Sequence, residues 1–300
     1  MALTPTNISS LLWPGIRKIF GDEYAQYPEQ YSKVFTVDSS TMNYEKDQGI
    51  TSLGLAAVKP VCESISYDTF NEGFSKTYTH VTYGLGIAIG RETLEDALYR
   101  NIRNMPRAQA RSVRHTIEIL GANVLNNAFT ASAAYYGGDG VELCSLLHPT
   151  YGGGGYVANE LATPADLDID SFEQALIDIQ SFVDDRGLKI AIKPKLLVIP
   201  PNLEFTAKQL LKSEKLPGSA YNDINPAQGM IPYTVMNWLT DTDAWFIVTD
   251  CPNGLTFLWR RRPEYKEDNN FDAEVAKFKA TFRCSMGWTD ARGIFGSPGA

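Results

Sequence analysis

The chain has 300 residues, 44% of them hydrophobic, which suffices for one large or two ordinary domains and excludes global disorder. Its formal net charge of −8 disfavours non-specific nucleic-acid binding, which needs clustered Lys and Arg. Four scattered Cys favour reduced thiols over a disulfide scaffold, the N-terminus does not look like a signal peptide, and no apolar run is long enough to span a membrane.

The N-terminal part of the chain is predicted to be mostly extended. Residues 1–50 mix short apolar patches with turn residues, which indicates an arm with a short helix near Gly15–Phe20. Val58–Tyr83 is rich in Thr and Tyr and predicts a strand ribbon, yet neither its odd nor its even positions form an apolar face. We therefore expect this ribbon to pack on other chains, as in an assembly protein. The apolar residues 84–90 return the chain to a core.

Two helices are predicted next. The first runs from Arg91 to Met105 and is expected to break at Pro106, a residue that suits the first turn of a new helix. The second covers residues 107–132 and carries one apolar stripe, which predicts a long spine-like helix. The stripe consists of Val113, Ile117, Leu120, Val124 and Ala128.

The second half of the chain alternates between helix and strand after a Gly-rich loop at 133–165. One helix is expected at Ser171–Asp184, capped by Asp170 or Ser171, and another at Leu203–Ser213. Four short strands are expected at Lys195–Ile199, Thr234–Leu239, Trp245–Thr249 and Leu255–Arg260.

The last strand has the clearest pattern in the chain, because its residues alternate with period two over eleven positions. The predicted core face consists of Ala276, Phe278, Ala280, Phe282, Cys284 and Met286. The predicted polar face consists of Lys277, Lys279, Thr281, Arg283 and Ser285.

No catalytic, cofactor-binding or metal site is predicted. His80, His115 and His148 are too scattered for a metal site or a triad. Gly84-x-Gly86-x-x-x-Gly90 has the wrong spacing for a dinucleotide fingerprint and follows a polar strand. The run Gly152–Gly155 is expected to be a flexible loop, since no Lys-Ser/Thr follows it as in a phosphate-binding loop.

Two charged clusters allow alternative interpretations. Asp166-x-Asp168-x-Asp170 looks like part of a calcium loop but lacks its Gly and its distal Glu. Arg260–Arg262 is the only basic run, and it can contact DNA or an acidic neighbour. The alternative is a solvated strand end whose arginines pair with Glu264 or Glu267.

The order of these elements, rather than any single motif, identifies a family resemblance. The segments that carry it are Arg91-Glu92-Thr93-Leu94-Glu95-Asp96 leading into Pro106-Arg107-Ala108, Lys195–Leu203 with Gln209–Ser213, and Gly287-Trp288-Thr289-Asp290-Ala291-Arg292-Gly293. With them, the chain resembles the major capsid protein of tailed phages with the Hong Kong 97 fold, and most of all the branch related to the Mu major head subunit.

The resemblance implies an α+β fold with four parts. The N-arm is expected at 1–50, the E-loop β-ribbon at 51–90, the P-domain with its long spine helix at 91–165 and 251–300, and the A-domain at 166–250. It implies a structural protein, not an enzyme, that self-assembles into an icosahedral shell around the phage dsDNA genome. The competing classes are another phage structural protein such as a tail tube subunit, which should be mostly β, and a cytoplasmic α/β enzyme, which should have a convergent polar pocket.

The resemblance also implies the partners. They are copies of the chain in hexamers and pentamers, a portal protein, a decoration protein where one is present, and packaged dsDNA contacted weakly, with no membrane and no cofactor. Because the chain begins with the arm itself, we expect any scaffolding protein to be separate. The protein is expected in the virion capsid, and in the host cytoplasm during assembly. The expected intersubunit contacts are Phe74, Lys76, Tyr78, His80, Arg260, Arg261 and Arg262.

Overall fold

The computed structural model describes residues 5–90, 99–151, 155–216, 223–270 and 275–300. In these ranges the α-helices are α1 (Pro5–Gln26), α2 (Tyr31–Val34), α3 (Tyr99–Asn126), α4 (Ile169–Gln180) and α5 (Glu204–Lys212). The strands are β1 (Thr36–Ser39), β2 (Tyr44–Ile50), β3 (Glu72–Thr79), β4 (Val81–Gly90), β5 (His148–Pro149), β6 (Tyr156–Val157), β7 (Pro194–Ile199), β8 (Tyr233–Val235), β9 (Trp245–Thr249), β10 (Leu255–Asn270), β11 (Val275–Trp288) and β12 (Ile294–Ser297). Short 3-10 turns lie at Pro201–Leu203 and Ala291–Gly293.

The main sheet has the strand order β1-β10-β11-β4, and α3 packs on one of its faces. Strand β11 shows the predicted alternation, because Phe278 and Phe282 are buried while Lys277 and Lys279 are exposed. Ser285 departs from the prediction. It lies on the polar face but is buried, since the ring of His80 covers it.

Strand β10 extends ten residues beyond its predicted end at Arg260. It pairs with β11 along its whole length, from Leu255 opposite Trp288 to Asn270 opposite Val275. Two register shifts flank Arg261. The sequence of this extension is polar and contains Pro263, so only the pairing with β11 makes it a strand.

The second sheet has the order β12-β9-β7-β8 and is buried on both faces. On one face, Val198 and Phe246 join the core formed by α3 and the main sheet. On the other, Leu197 and Ile247 join a separate core with α4 and α5. This two-sided burial explains why β7 is a continuous apolar run rather than an alternating one. The C-terminal strand β12 belongs to this sheet, although residues 251–300 were expected to lie wholly in the P-domain.

Helix α3 is continuous through Pro106, so the predicted break at this residue is wrong. Residues 91–98 of the predicted first helix lie outside the described residues. Proline removes one backbone hydrogen bond but leaves the rest of the helix intact when packing holds both sides. The predicted stripe is confirmed, since Val113, Ile117 and Val124 are buried. With 28 residues, α3 is about 42 Å long.

The expected extended arm begins instead with the 22-residue helix α1, which packs on α3. Ile16 and Phe20 are buried, and Glu23 forms ion pairs with Arg107 and Arg111 of α3 at 3.9 and 3.5 Å. Ile16 packs with Ile89 and Phe278 of the main sheet, and the ring of Phe20 lies 4.7 Å from that of Tyr265, so α1 is held by distant parts of the chain as well as by α3. The extended part of the arm is therefore confined to the residues after α1.

Other boundaries shift by a few residues. Helix α4 begins at Ile169 and is capped by Asp168, whose carboxylate accepts the Ser171 amide at 2.7 Å. Asp170 and Ser171 were predicted as caps. Ser171 instead completes a capping box by bonding back to the Asp168 amide. The predicted strand over Trp245–Thr249 is confirmed. Separately, in the described ranges no helix has the length and apolarity of a membrane span.

Candidate functional site

The ribbon is an antiparallel pair of strands that carries a long loop. Strand β2 pairs with β3, so the ribbon begins at Tyr44 rather than at Val58. Residues 51–71 between the two strands form no strand and are called the ribbon loop below. Two hydrogen bonds close its base, from the Thr51 amide to the Asn71 carbonyl at 3.0 Å and from the Asn71 amide to the Thr51 hydroxyl at 2.9 Å.

The ribbon has an inner face that packs on its own subunit. Tyr78 is 3% exposed, and its hydroxyl lies 2.7 Å from the hydroxyl of Thr289. Thr289 in turn donates to Asp47 of β2 at 2.8 Å. Burial raises the pKa of Tyr78 to about 12. The expectation that the ribbon buries no face in its own chain is therefore wrong for this residue.

Phe74 and Lys76 share the inner face with Tyr78 because they are spaced by two in a strand. The ring of Phe74 meets that of Tyr151 edge to face at 6.0 Å, and Lys76 donates to the carbonyl of Tyr136. Burial lowers the pKa of Lys76, and the nearby charge of Asp139 opposes this shift. Both side chains are thus engaged within the subunit, where we expected intersubunit contacts.

His80 lies at the bend where β3 ends and β4 begins. Its Nε2 is 3.0 Å from the Ser40 hydroxyl and its Nδ1 is 2.9 Å from the Ser285 hydroxyl, while Ser40 donates to Glu45. This order of groups resembles a catalytic relay, but the ring is only 4% exposed. Burial, and secondly the charge of Arg283, lowers the pKa of His80. The arrangement fixes the bend of the ribbon rather than exposing a nucleophile.

The ribbon, and above all the ribbon loop, exposes many large apolar side chains. At the ribbon, Tyr44 and Ile50 are 55% and 71% exposed. The ribbon loop adds seven large apolar side chains with exposures from 44% to 93%. They are Leu53, Leu55, Val58, Val61, Ile65, Tyr67 and Phe70. Exposed apolar surface of this density marks an interaction site. The signal in the sequence was a run of apolar residues in a segment without strand or helix periodicity.

A polar clamp holds the ribbon loop to the body of the subunit. Arg186 makes a two-pronged contact with Asp68, at 2.6 and 3.1 Å, and also donates to the Thr69 carbonyl at 3.2 Å. The Gly54 amide donates to the same carboxylate at 2.8 Å. Arg186 lowers the pKa of Asp68 to about 2. The clamp positions the loop without covering its apolar side chains.

The basic run at the first bulge of β10 is partly solvated. Arg260 and Arg262 are exposed, whereas Arg261 is half-buried and donates to the Thr281 hydroxyl at 3.3 Å. Glu264 forms an ion pair with Lys266 at 3.3 Å rather than the expected pair with an arginine of this run. The run stays a prediction as an intersubunit contact.

A cavity of about 240 Å³ lies at the base of the ribbon. His148 Nδ1 contacts Asp139 at 2.7 Å and Arg292 contacts Asp290 at 2.9 Å, while the buried Nε2 of His148 has no hydrogen-bond partner among the described residues. Within the described ranges, no group of three or more His, Cys, Asp or Glu side chains could hold a metal ion. Of the run Asp166-x-Asp168-x-Asp170, Asp168 serves as the cap of α4. Residues 152–154 of the Gly-rich run lie outside the described residues.

Comparison with known proteins identifies the architecture. The family model described as phage capsid protein matches residues 73–296. Among solved structures, Mycobacterium phage Patience has a TM-score of 0.57 at 11% identity, covering 96% of this chain and 87% of that chain. The asymmetric unit of the mature capsid of bacteriophage PhiM1 has a TM-score of 0.57 at 9% identity, covering 90% and 87%. No curated protein sequence matches significantly. The predicted α+β fold of the Hong Kong 97 type is confirmed.

Proposed function

The chain belongs to the phage capsid protein family, and we propose that its subunits form the hexamers and pentamers of a closed shell through their ribbon loops. The role of the protein is structural, as a major capsid protein of the virion, and it is not an enzyme. The proposal adds the contact that joins the subunits. In it, the ribbon loop of one subunit lies over a neighbouring copy.

The observation that supports this contact is the apolar surface of the ribbon loop. Val58 and Val61 are 93% and 92% exposed, although burying such a side chain stabilises by about 1.5–3 kcal/mol. Within the described residues, the subunit holds the loop by two hydrogen bonds at its base and by the polar clamp between Asp68 and Arg186. The apolar side chains are therefore left for a second molecule. The binding free energies of such contacts sum over the many subunits of a shell, even when each single contact is weak.

The further partners remain part of the proposal. A scaffolding protein would guide assembly in the host cytoplasm, a portal protein would occupy one vertex, and a decoration protein would bind the outside where one is present. Packaged dsDNA would be contacted weakly, because the net charge of −8 repels phosphate.

The test compares matched changes in the ribbon loop. The double change Val58→Ser and Val61→Ser should alter the free energy of unfolding of the subunit by no more than about 0.5 kcal/mol relative to the native chain, because both side chains are already in water. The same change should abolish or strongly reduce particles seen by negative-stain electron microscopy and sedimentation. Lys59→Ser, in the same loop, is the control and should assemble normally. Normal particles from the double variant would overturn the proposed contact between the ribbon loop and a neighbouring copy. Open tubes from the native chain would favour a tail tube subunit.

A further inference from the structure

The face of the main sheet that points away from α3 is strongly basic. It is formed by alternate residues of β10 and β11, whose other residues enter the core. Five basic and two acidic side chains lie on it, and we call this surface the basic face. The basic side chains are Arg261, Lys266, Lys277, Lys279 and Arg283, and the acidic ones are Glu264 and Asp268. A surface of net +3 is unusual in a chain whose net charge is −8.

The basic face contains like charges directly opposite each other. Lys266 of β10 is the cross-strand partner of Lys279 in β11, and Arg261 is the partner of Arg283. Like charges at directly opposed positions destabilise a sheet. Lys266, Lys277 and Lys279 are all exposed. The opposed arginines are held inside the subunit, because Arg283 donates to the His80 carbonyl and the Asn43 side chain while Arg261 donates to the Thr281 hydroxyl. Lys266 forms an ion pair with Glu264. The remaining repulsion between the exposed Lys266 and Lys279 indicates a functional constraint.

Edge strand β4 pairs with β11 and places a row of small residues beside these cations, which we call the glycine strip. Gly86 is the cross-strand partner of Lys279, and Gly84 is the partner of Thr281. Gly84, Gly86 and Ala88 are all exposed. A Cβ atom at Gly86 would meet only one atom, the Phe278 carbonyl oxygen, at an ordinary contact distance of 3.5 Å. Packing within the subunit thus does not require glycine at 86, whereas a closely approaching chain would benefit from it.

We propose that the basic face binds an extended acidic segment of a partner protein. Lys277 and Lys279 are spaced by two residues of a strand, about 6.8 Å, which is also the spacing of same-face side chains in an extended peptide. Asp or Glu at every second position of such a peptide would meet them in turn. The glycine strip lets the peptide backbone lie close to the sheet. Duplex DNA fits less well, because its phosphates form a fixed row that must also pass Glu264 and Asp268, whereas a peptide can place uncharged residues opposite these carboxylates.

The experiment measures binding to unassembled full-length subunits, so its result does not depend on shell formation. The probes are a fluorescent peptide of alternating Glu and Ser and a dsDNA fragment of equal charge, followed by anisotropy at about 50 and 200 mM salt. The test variant is Lys277→Glu with Lys279→Glu. The control is Lys193→Glu with Lys195→Glu, two exposed lysines of identical spacing at the start of β7. Lys277→Gln with Lys279→Gln removes the charge without reversing it.

The native chain should bind the peptide, more tightly at the lower salt. The reversed-charge variant should lose about tenfold or more in affinity, the neutral variant less, and the control should stay within about twofold of the native chain. Absence of peptide binding by the native chain, or equal losses in the test and control variants, would overturn the proposal. Tighter binding of the DNA, lost in the same variants, would replace the acidic peptide by nucleic acid.

Discussion

Replacing Phe282 by alanine tests the assignment of the two faces of β11. The side chain is 2% exposed, stacks on Tyr83 with a ring separation of 5.2 Å and meets Trp259 edge to face at 6.1 Å. Truncating a buried Phe costs about 3–5 kcal/mol through lost transfer energy and the cavity that remains. Two aromatic contacts, each worth about 0.5–1.5 kcal/mol, put the expected loss near the top of this range.

The assay is urea unfolding of unassembled subunits, followed by tryptophan fluorescence. With a slope of about 3 kcal/mol per molar urea, the midpoint of Phe282→Ala should fall by about 1–2 M. Lys279→Ala is the control on the opposite face and should change the free energy of unfolding by no more than about 0.5 kcal/mol, because its side chain is solvated. Equal and small losses in both variants would refute the assignment of the faces and the burial argument behind it.

Two further outcomes are expected. Lys279→Glu should stabilise the subunit by about 0.2–1 kcal/mol in the same urea assay, because it places a negative charge opposite Lys266, and a lower stability would contradict the like-charge argument. The pKa of Asp68 is lowered to about 2 by Arg186, so the clamp is formed above the ordinary pKa of an aspartate and is lost only as the pH falls through about 2. The Gly54 amide should therefore keep its hydrogen-exchange protection factor from about pH 7 to pH 4 and lose it at both in Asp68→Asn. Loss of protection in the native chain by about pH 4 would show that the clamp does not hold the loop.

Local patterns determined those parts of the fold in which one face of an element meets a core. The alternation around Phe278 and Phe282 is a property of eleven consecutive residues, and the stripe from Val113 to Val124 along α3 is a property of twelve. Burial of an apolar face leaves a period in the sequence, and the period can be read without knowing the partner. The order of these elements also sufficed for the capsid resemblance, which the family match confirms.

Only the tertiary structure decided which side of the ribbon is covered. The inner face places the polar Lys76 between Phe74 and Tyr78, so it leaves no apolar period, and the partner residue Thr289 lies more than 200 positions away in the chain. The same reason explains the missed half of β10, whose polar residues beyond Arg260 are a strand only because β11 supplies hydrogen-bond partners. Contacts made through hydrogen bonds and distant strands depend on three-dimensional proximity. Apolar faces can therefore be predicted from the sequence pattern, whereas the partners of polar faces become known only from the fold.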